Sequence, residues 1–316
     1  MWLKKLAVIV MFLIVVGLFG TYFWNFLPGE TKEMLLQGTL EGLPEADENV
    51  SSSLSQFYPN MRFNHNDLTY SFISACSDDK ISKMIEAFGV LEDRVGIISF
   101  QETTGEEADV LVSCSKERVS EAGNIFITGE GGPSKFLNLS LYPLILQGEI
   151  LLYEELYKER RSQCEEPVVE IHELLHVFGY DHVDNKSSVL YPYFACDQEL
   201  GDEFVDDLIR LYSIEPKAEI YYKNVSADKS GVYLNFNISL VNEGLIEAKA
   251  VSLIVEGDGK EQEEFELKDV DVGTITTFSI ENFRLSSRNI DEIEFRLVTE
   301  TEEYSLENNV AKLRLV

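Results

Sequence analysis

The stretch His172-Glu173-Leu174-Leu175-His176-Val177-Phe178-Gly179-Tyr180-Asp181-His182 holds three of the chain's 4 histidines in the spacing H-E-x-x-H-x-x-G-x-x-H. With histidine this scarce in 316 residues, chance places the pattern somewhere in the chain with a probability on the order of a few in a million. The spacing also has a mechanical reading. Glu165 and Glu166 favour a helix N-terminus, Pro167 suits its first turn, and Val168, Ile171, Leu174, Leu175 and Phe178 recur with a helical period. That helix puts His172 and His176 one turn apart on one face, and Gly179 ends it by taking the left-handed conformation. The chain then turns back and delivers His182 from another direction. Three neutral imidazoles leave a tetrahedral Zn²⁺ one open position for water, which is the arrangement of a catalytic site rather than a structural one. Glu173 adjoins the first ligand without being needed as one, and is placed to take a proton from that water.

The arrangement resembles the metzincin metallopeptidases. Downstream, Ser188-Val189-Leu190-Tyr191-Pro192 resembles the family's Met-turn, with Leu190 where the methionine normally lies. Leucine has a similar volume and serves equally as an apolar floor under the histidines. Pro192 is similar to the matrixin branch, whereas Val183 stands where matrixins usually carry serine. Leu68-Thr69-Tyr70, behind a lead that contains Arg62, resembles the matrixin opening strand. The resemblance implies an α+β catalytic domain over residues 58–214: a mixed sheet with an active-site helix, a bound Zn²⁺ and a peptide or protein substrate extended along a sheet edge. Phe136 to Leu141 is the expected edge. It also implies that the strands ending near Cys76 and Cys114 lie side by side. The expected disulfides are therefore Cys76 with Cys114 and Cys164 with Cys196, the second clamping the segments that frame the metal.

Around this centre, the pattern predicts a strand at 68–74, a helix at 78–91, strands at 95–100, 108–113, 124–128 and 149–153, and a closing helix at 202–211. Gly131-Gly132-Pro133 reads as a turn. His65, the fourth histidine, reads as a solvated loop residue, Tyr191 as a pocket-lining residue and Tyr193 as an ordinary packing residue. The net charge of −30 excludes nucleic acid and anionic lipid as partners, because either is repelled. It describes a strongly solvated surface and also admits structural Ca²⁺.

Leu6 to Leu27 is an uncharged apolar run behind Lys4 and Lys5. It is long enough to span a bilayer, and the lysines favour a cytoplasmic N-terminus. Residues 1–28 are thus expected to form an uncleaved, single-pass transmembrane anchor with the catalytic domain outside the cytoplasm. Residues 29–57, acidic and marked by Pro44 and Ser51 to Ser53, read as a linker.

After Pro216 the chain changes character. Residues 217–316 carry no histidine or cysteine, and Val232, Leu234, Phe236, Ile238 and Leu240 alternate strictly. About seven such strands in a hundred residues predict an all-β immunoglobulin-like sandwich. Val241-Asn242-Glu243-Gly244 and Glu307-Asn308-Asn309-Val310 resemble the cell-adhesion-related CARDB type, which implies a spacer or a module for a surface partner. The domain shows no catalytic residue types. Truncation near Pro216 is therefore expected to leave an active enzyme, provided that few contacts cross the boundary. The rival to a membrane-anchored zinc endopeptidase is a cell-surface scaffold or adhesion protein with a vestigial zinc site, and the intact Glu173 speaks against it.

Overall fold

The computed structural model describes residues 54, 56–116, 120–121, 125–126, 128–154 and 164–314. The expected membrane span and most of the linker lie outside these residues. No described helix is long and apolar enough to cross a membrane.

The first half is built on a mixed five-stranded sheet in the order β2-β1-β3-β7-β6. Its strands are β1 (Asp67–Phe72), β2 (Ser99–Glu102), β3 (Val110–Ser115), β6 (Gly129–Leu137) and β7 (Leu144–Tyr153); β4 (Ser120–Glu121) and β5 (Ile125–Phe126) form a separate ribbon. β1 runs parallel to β2 and β3, β3 runs parallel to β7, and only β6 is antiparallel to its neighbour. Between β1 and β2 lies helix α1 (Asp78–Val95), started by Asp78 and Asp79 and burying Met84, Ala87, Phe88, Leu91 and Val95. It outruns the expected end at Leu91 because Val95, one turn on, continues the buried stripe. The strand expected from Val95 begins only at Ser99.

A second correction concerns the edge. The strand occupies Gly129–Leu137 rather than Phe136 to Leu141, so Gly131-Gly132-Pro133 lies inside it and is no turn. Pro133 is tolerated there because the register is irregular between Pro133 and Lys135. Helices α2 (Val168–Val177) and α3 (Asp202–Tyr212) pack on the same core as α1. Both expected disulfides are present, Cys76 with Cys114 and Cys164 with Cys196.

The second half is a sandwich of seven strands. One sheet has the order β11-β10-β13-β14, from β10 (Ala248–Gly257), β11 (Lys260–Val270), β13 (Glu292–Val298) and β14 (Val310–Arg314). The other has the order β12-β9-β8, from β8 (Ile220–Ser230), β9 (Tyr233–Asn242) and β12 (Ile275–Arg284). The alternation seen in the sequence is the buried face of β9: Leu234, Phe236, Ile238 and Leu240 meet Val251, Leu253 and Val255 of β10 in one core.

Contacts do cross the boundary. Leu139 and Leu144, from the connection between β6 and β7, share a buried cluster with Leu245 of the sandwich, and Leu137, Tyr142, Val272 and Tyr304 pack around it. The Tyr142 and Tyr304 rings lie 5.5 Å apart, and Asn64 Nδ2 donates to Leu245 O at 3.0 Å. Arg62 is a fully buried tie at this junction. It pairs by backbone with Pro143 and Ile145, and its guanidinium donates to Leu211 O in the last turn of α3 and to Ile214 O just beyond it. The same guanidinium lies 4.8 Å from the Tyr212 ring centroid. A cation at these carbonyls also opposes the negative end of the helix.

Candidate active site

α2 enters the core almost completely buried, with His172 and His176 one turn apart as the motif requires. Gly179 has φ of +85°, so the left-handed exit expected of it is real. A β-carbon there meets the Met61 side chain at 2.8 Å, so both conformation and space call for glycine. The turn brings His182 back to the other two. The three Nε2 atoms lie 3.0, 3.2 and 3.3 Å from one another.

The opposite ring nitrogens decide what these contacts are. His172 Nδ1 faces Val189 O at 2.6 Å and His176 Nδ1 faces Tyr180 O at 2.6 Å. A carbonyl oxygen only accepts, so both Nδ1 atoms carry their proton and both Nε2 atoms present bare lone pairs. Two lone pairs 3.0 Å apart repel unless a cation lies between them. Three nitrogens on a tetrahedral Zn²⁺ at about 2.0–2.1 Å are separated by about 3.3 Å, so this donor set fits zinc. Burial, reinforced by the neighbouring His176, pushes His172 down to about 3, and burial also lowers His176. Both are therefore neutral at neutral pH, as metal ligands must be.

The Met-turn supplies the outer support. Val189 carries the carbonyl that orients His172, while Leu190 is fully buried in the core and binds Val183 N–H through its own carbonyl at 3.0 Å. Backbone carbonyls from two loops thus fix the tautomers of two ligands.

Glu173 is buried behind the edge strand. Burial, with Glu130 and Glu170 adding to it and Lys80 opposing, pushes its carboxyl up to about 8. A cation held by the imidazoles would oppose that shift and favour the carboxylate form that a general base needs. The strand reaches this close because of two glycines. A β-carbon at Gly129 falls 2.6 Å from Glu173 Oε1, and one at Gly131 falls 2.3 Å from Glu173 O. Glu130 between them accepts from Tyr153 Oη at 2.6 Å. Beneath the helix, Lys80 of α1 pairs with Glu170 at 2.9 Å, both 2% exposed.

Several of these residues escaped the sequence reading. Glycines two apart face the same side of a strand, and that spacing in Gly129-x-Gly131 was the available signal. Gln56 and Phe57, assigned to the linker, are held by the catalytic half: Phe57 N–H donates to Gly179 O at 2.7 Å and its ring lies 6.0 Å from that of His176. Tyr193 packs its ring edge-on against Tyr191 at 5.7 Å and is otherwise 56% exposed. His65, 3.4 Å from Asp109, lies at the surface and apart from the metal cluster.

Residues 62–212 match the sequence model of the matrixin family. No curated protein matches the chain. The matched segment begins at Arg62 and ends with α3, so it covers the whole sheet and all three histidines. It supports reading this half as a matrixin-like metallopeptidase domain. The matrixin likeness also implies Zn²⁺, which agrees with the three-histidine group found from geometry.

Proposed function

We propose that the chain is a zinc endopeptidase held on the outer side of a membrane by residues 1–28, with the sandwich as a spacer or docking module for a surface partner. The observation that carries the catalytic part is the convergence of three imidazole nitrogens, two of them bare, beside a buried glutamate that is not among them. His172, His176 and His182 would hold the zinc. When bound, it supplies Lewis-acid polarisation of the scissile carbonyl and makes water acidic enough to react at neutral pH.

The chain's own groups do the rest. The free edge of β6 offers its backbone to a substrate strand, fixing an extended peptide beside the metal ligands. Glu173 takes the proton of the attacking water and passes it to the leaving amine nitrogen as the C–N bond breaks. The closeness of β6 to α2 excludes bulk water from the side of Glu173 that faces the sheet. Leu190, with Val189 and Tyr180 carbonyls, keeps the ligand rings from turning. Membrane anchoring rests on the Leu6 to Leu27 run behind two lysines, and a location outside the cytoplasm agrees with two disulfides.

The test is a peptide library incubated with purified protein, with and without a chelator and with Glu173→Ala. Cleavage should require the metal. The variant should retain zinc and lose about 10²–10⁴-fold in turnover, the usual contribution of a positioned base. Undiminished cleavage by metal-loaded Glu173→Ala would refute the mechanism.

A further inference from the structure

The sandwich contains a group of polar side chains that peptide hydrolysis does not use. Glu219 and Glu243 extend the antiparallel register of Ile220 with Asn242 by one pair, and Glu243 N–H donates to Glu219 O at 2.8 Å. Directly opposed residues of such a ladder project from the same face with β-carbons about 5 Å apart. Both are buried, Glu219 at 0% and Glu243 at 2% exposure. Like charges so placed repel, and burial without a counter-charge makes the arrangement strongly unfavourable. Glu303 joins them from the loop before the turn Glu307–Asn309. Among the described residues no lysine or arginine forms an ion pair with any of the three; the nearby Lys217 is spent outward on Glu302 at 2.8 Å.

Their hydrogen bonds come from neutral donors. Glu219 accepts from Asn308 Nδ2 at 2.7 Å and Ser305 N at 2.8 Å, and Glu303 accepts from Asn309 Nδ2 at 2.8 Å and Ile220 N at 3.0 Å. These contacts fix the asparagine amides, since the reverse orientation would put an oxygen against a carboxylate. As a result Asn308 Oδ1 and Asn309 Oδ1 are buried with no partner. So is Glu243 Oε2, although Tyr221 hydrogen-bonds the same carboxylate. The orphaned carboxylate and amide oxygens among the described residues are those of Glu243, Asn308 and Asn309. Asn309 itself is 3% exposed.

Carboxyl and amide oxygens gathered with no positive charge among them offer a site for a cation. Oxygen-only donors, part carboxylate and part amide, suit Ca²⁺, which takes six to eight such ligands in flexible geometry; Mg²⁺ demands a stricter octahedron. Zinc would seek nitrogen or sulfur, and residues 217–316 contain neither histidine nor cysteine. Burial raises the Glu219 carboxyl and pushes Glu303 up to about 7, as expected of acids gathered without positive charge.

We infer that Glu219, Glu243 and Asn308, with Asn309 beside them, form a calcium site that fastens the turn Glu307–Asn309 to the paired ends of β8 and β9. The fastened loop also carries Tyr304, which packs on Tyr142 of the catalytic half. Calcium therefore steadies the junction as well as the sandwich. The inference is independent of the peptidase reading.

The test uses the full chain, stripped on a chelating resin and given one equivalent of Zn²⁺. Ca²⁺ binding is counted by equilibrium dialysis, and Tm is followed with CaCl₂ or MgCl₂. Millimolar Ca²⁺ should raise Tm by about 5 °C or more, with Mg²⁺ much weaker. Glu243→Gln should bind one Ca²⁺ fewer and lose the shift, while its calcium-free Tm equals or exceeds that of the wild type because an uncompensated charge has gone. Glu263→Gln, at an exposed position, should respond as the wild type does. Should Glu243→Gln fail to fold, Asn308→Ala, which keeps both carboxylates, is read in the same way. No calcium response in the wild type, or unchanged stoichiometry and shift in the variants, overturns the site.

Discussion

Gly131→Ala tests whether the approach of the edge strand to the catalytic helix is what makes the site. The added β-carbon would lie 2.3 Å from Glu173 O, about 1 Å inside ordinary van der Waals contact, and 2.8 Å from Glu173 Cα. Both clashing atoms are backbone, so no rotamer change relieves the overlap. Either β6 must lift off or α2 must move, and α2 is buried on nearly every side. The strand therefore yields by about 1 Å, at an overpacking cost of about 1–3 kcal/mol. A shift of that size at a substrate-positioning element costs about 10²-fold in kcat/KM. The neighbouring Gly132 is the control, because a β-carbon there meets nothing within 4 Å and its φ is not in the left-handed region. Gly132→Ala should leave activity unchanged and stability equal or slightly higher. The assay is hydrolysis of a fluorogenic peptide, with zinc content and Tm measured on the same preparations. Wild-type kcat/KM in Gly131→Ala, or equal losses in both variants, would refute the reasoning.

Three further outcomes are expected. Lys80→Met strands the buried Glu170 charge under the active-site helix and should cost about 3–5 kcal/mol in urea unfolding, most of it recovered in Lys80→Met with Glu170→Leu. The carboxyls of Glu303, at about 7, and Glu219 are raised above their ordinary value of 4.5. The folded sandwich thus holds more protons than the unfolded chain between those limits, and calcium-free stability should fall as pH rises from about 4.5 to 7. Glu303→Gln should flatten that slope in calorimetry. Ending the chain at Pro216 uncovers Leu139 and Leu144, which Leu245 buries. At about 1.5–3 kcal/mol per fully buried leucine, the shorter piece should lose about 2–4 kcal/mol, and peptide turnover should fall with it. Equal stability and peptide rate in the two pieces would restore the independence expected from the sequence.

The three-histidine group was legible because helix period, left-handed glycine and imidazole chemistry together leave few ways to place three histidines. The disulfides followed from the strand order that the family resemblance implied. What stayed hidden has a common physical character. Val189 and Tyr180 act through backbone carbonyls, which every residue type possesses, so no side chain advertises them. Gly129 and Gly131 act by lacking a side chain, and a Gly-Gly-Pro run is more often a turn than a strand pressed against a helix. Lys80 and Glu170 sit on helices far apart in sequence, and their charges read as solvated until the packing removes the solvent.

The contacts between the halves were hidden for a related reason. Leu139, Tyr142 and Leu144 follow an edge strand in sequence and could serve any apolar contact, so nothing local marks them as facing Leu245 and Tyr304. Their placement nevertheless bears on catalysis. Leu137 ends the strand expected to receive substrate, and its side chain packs within this same cluster. An edge strand has a ladder partner on one side only, so its far end depends on what covers it. Here the cover is the sandwich. The domain without catalytic residue types thus touches the end of the edge strand through an apolar cluster and a tyrosine pair, so loosening the sandwich should loosen that strand as well.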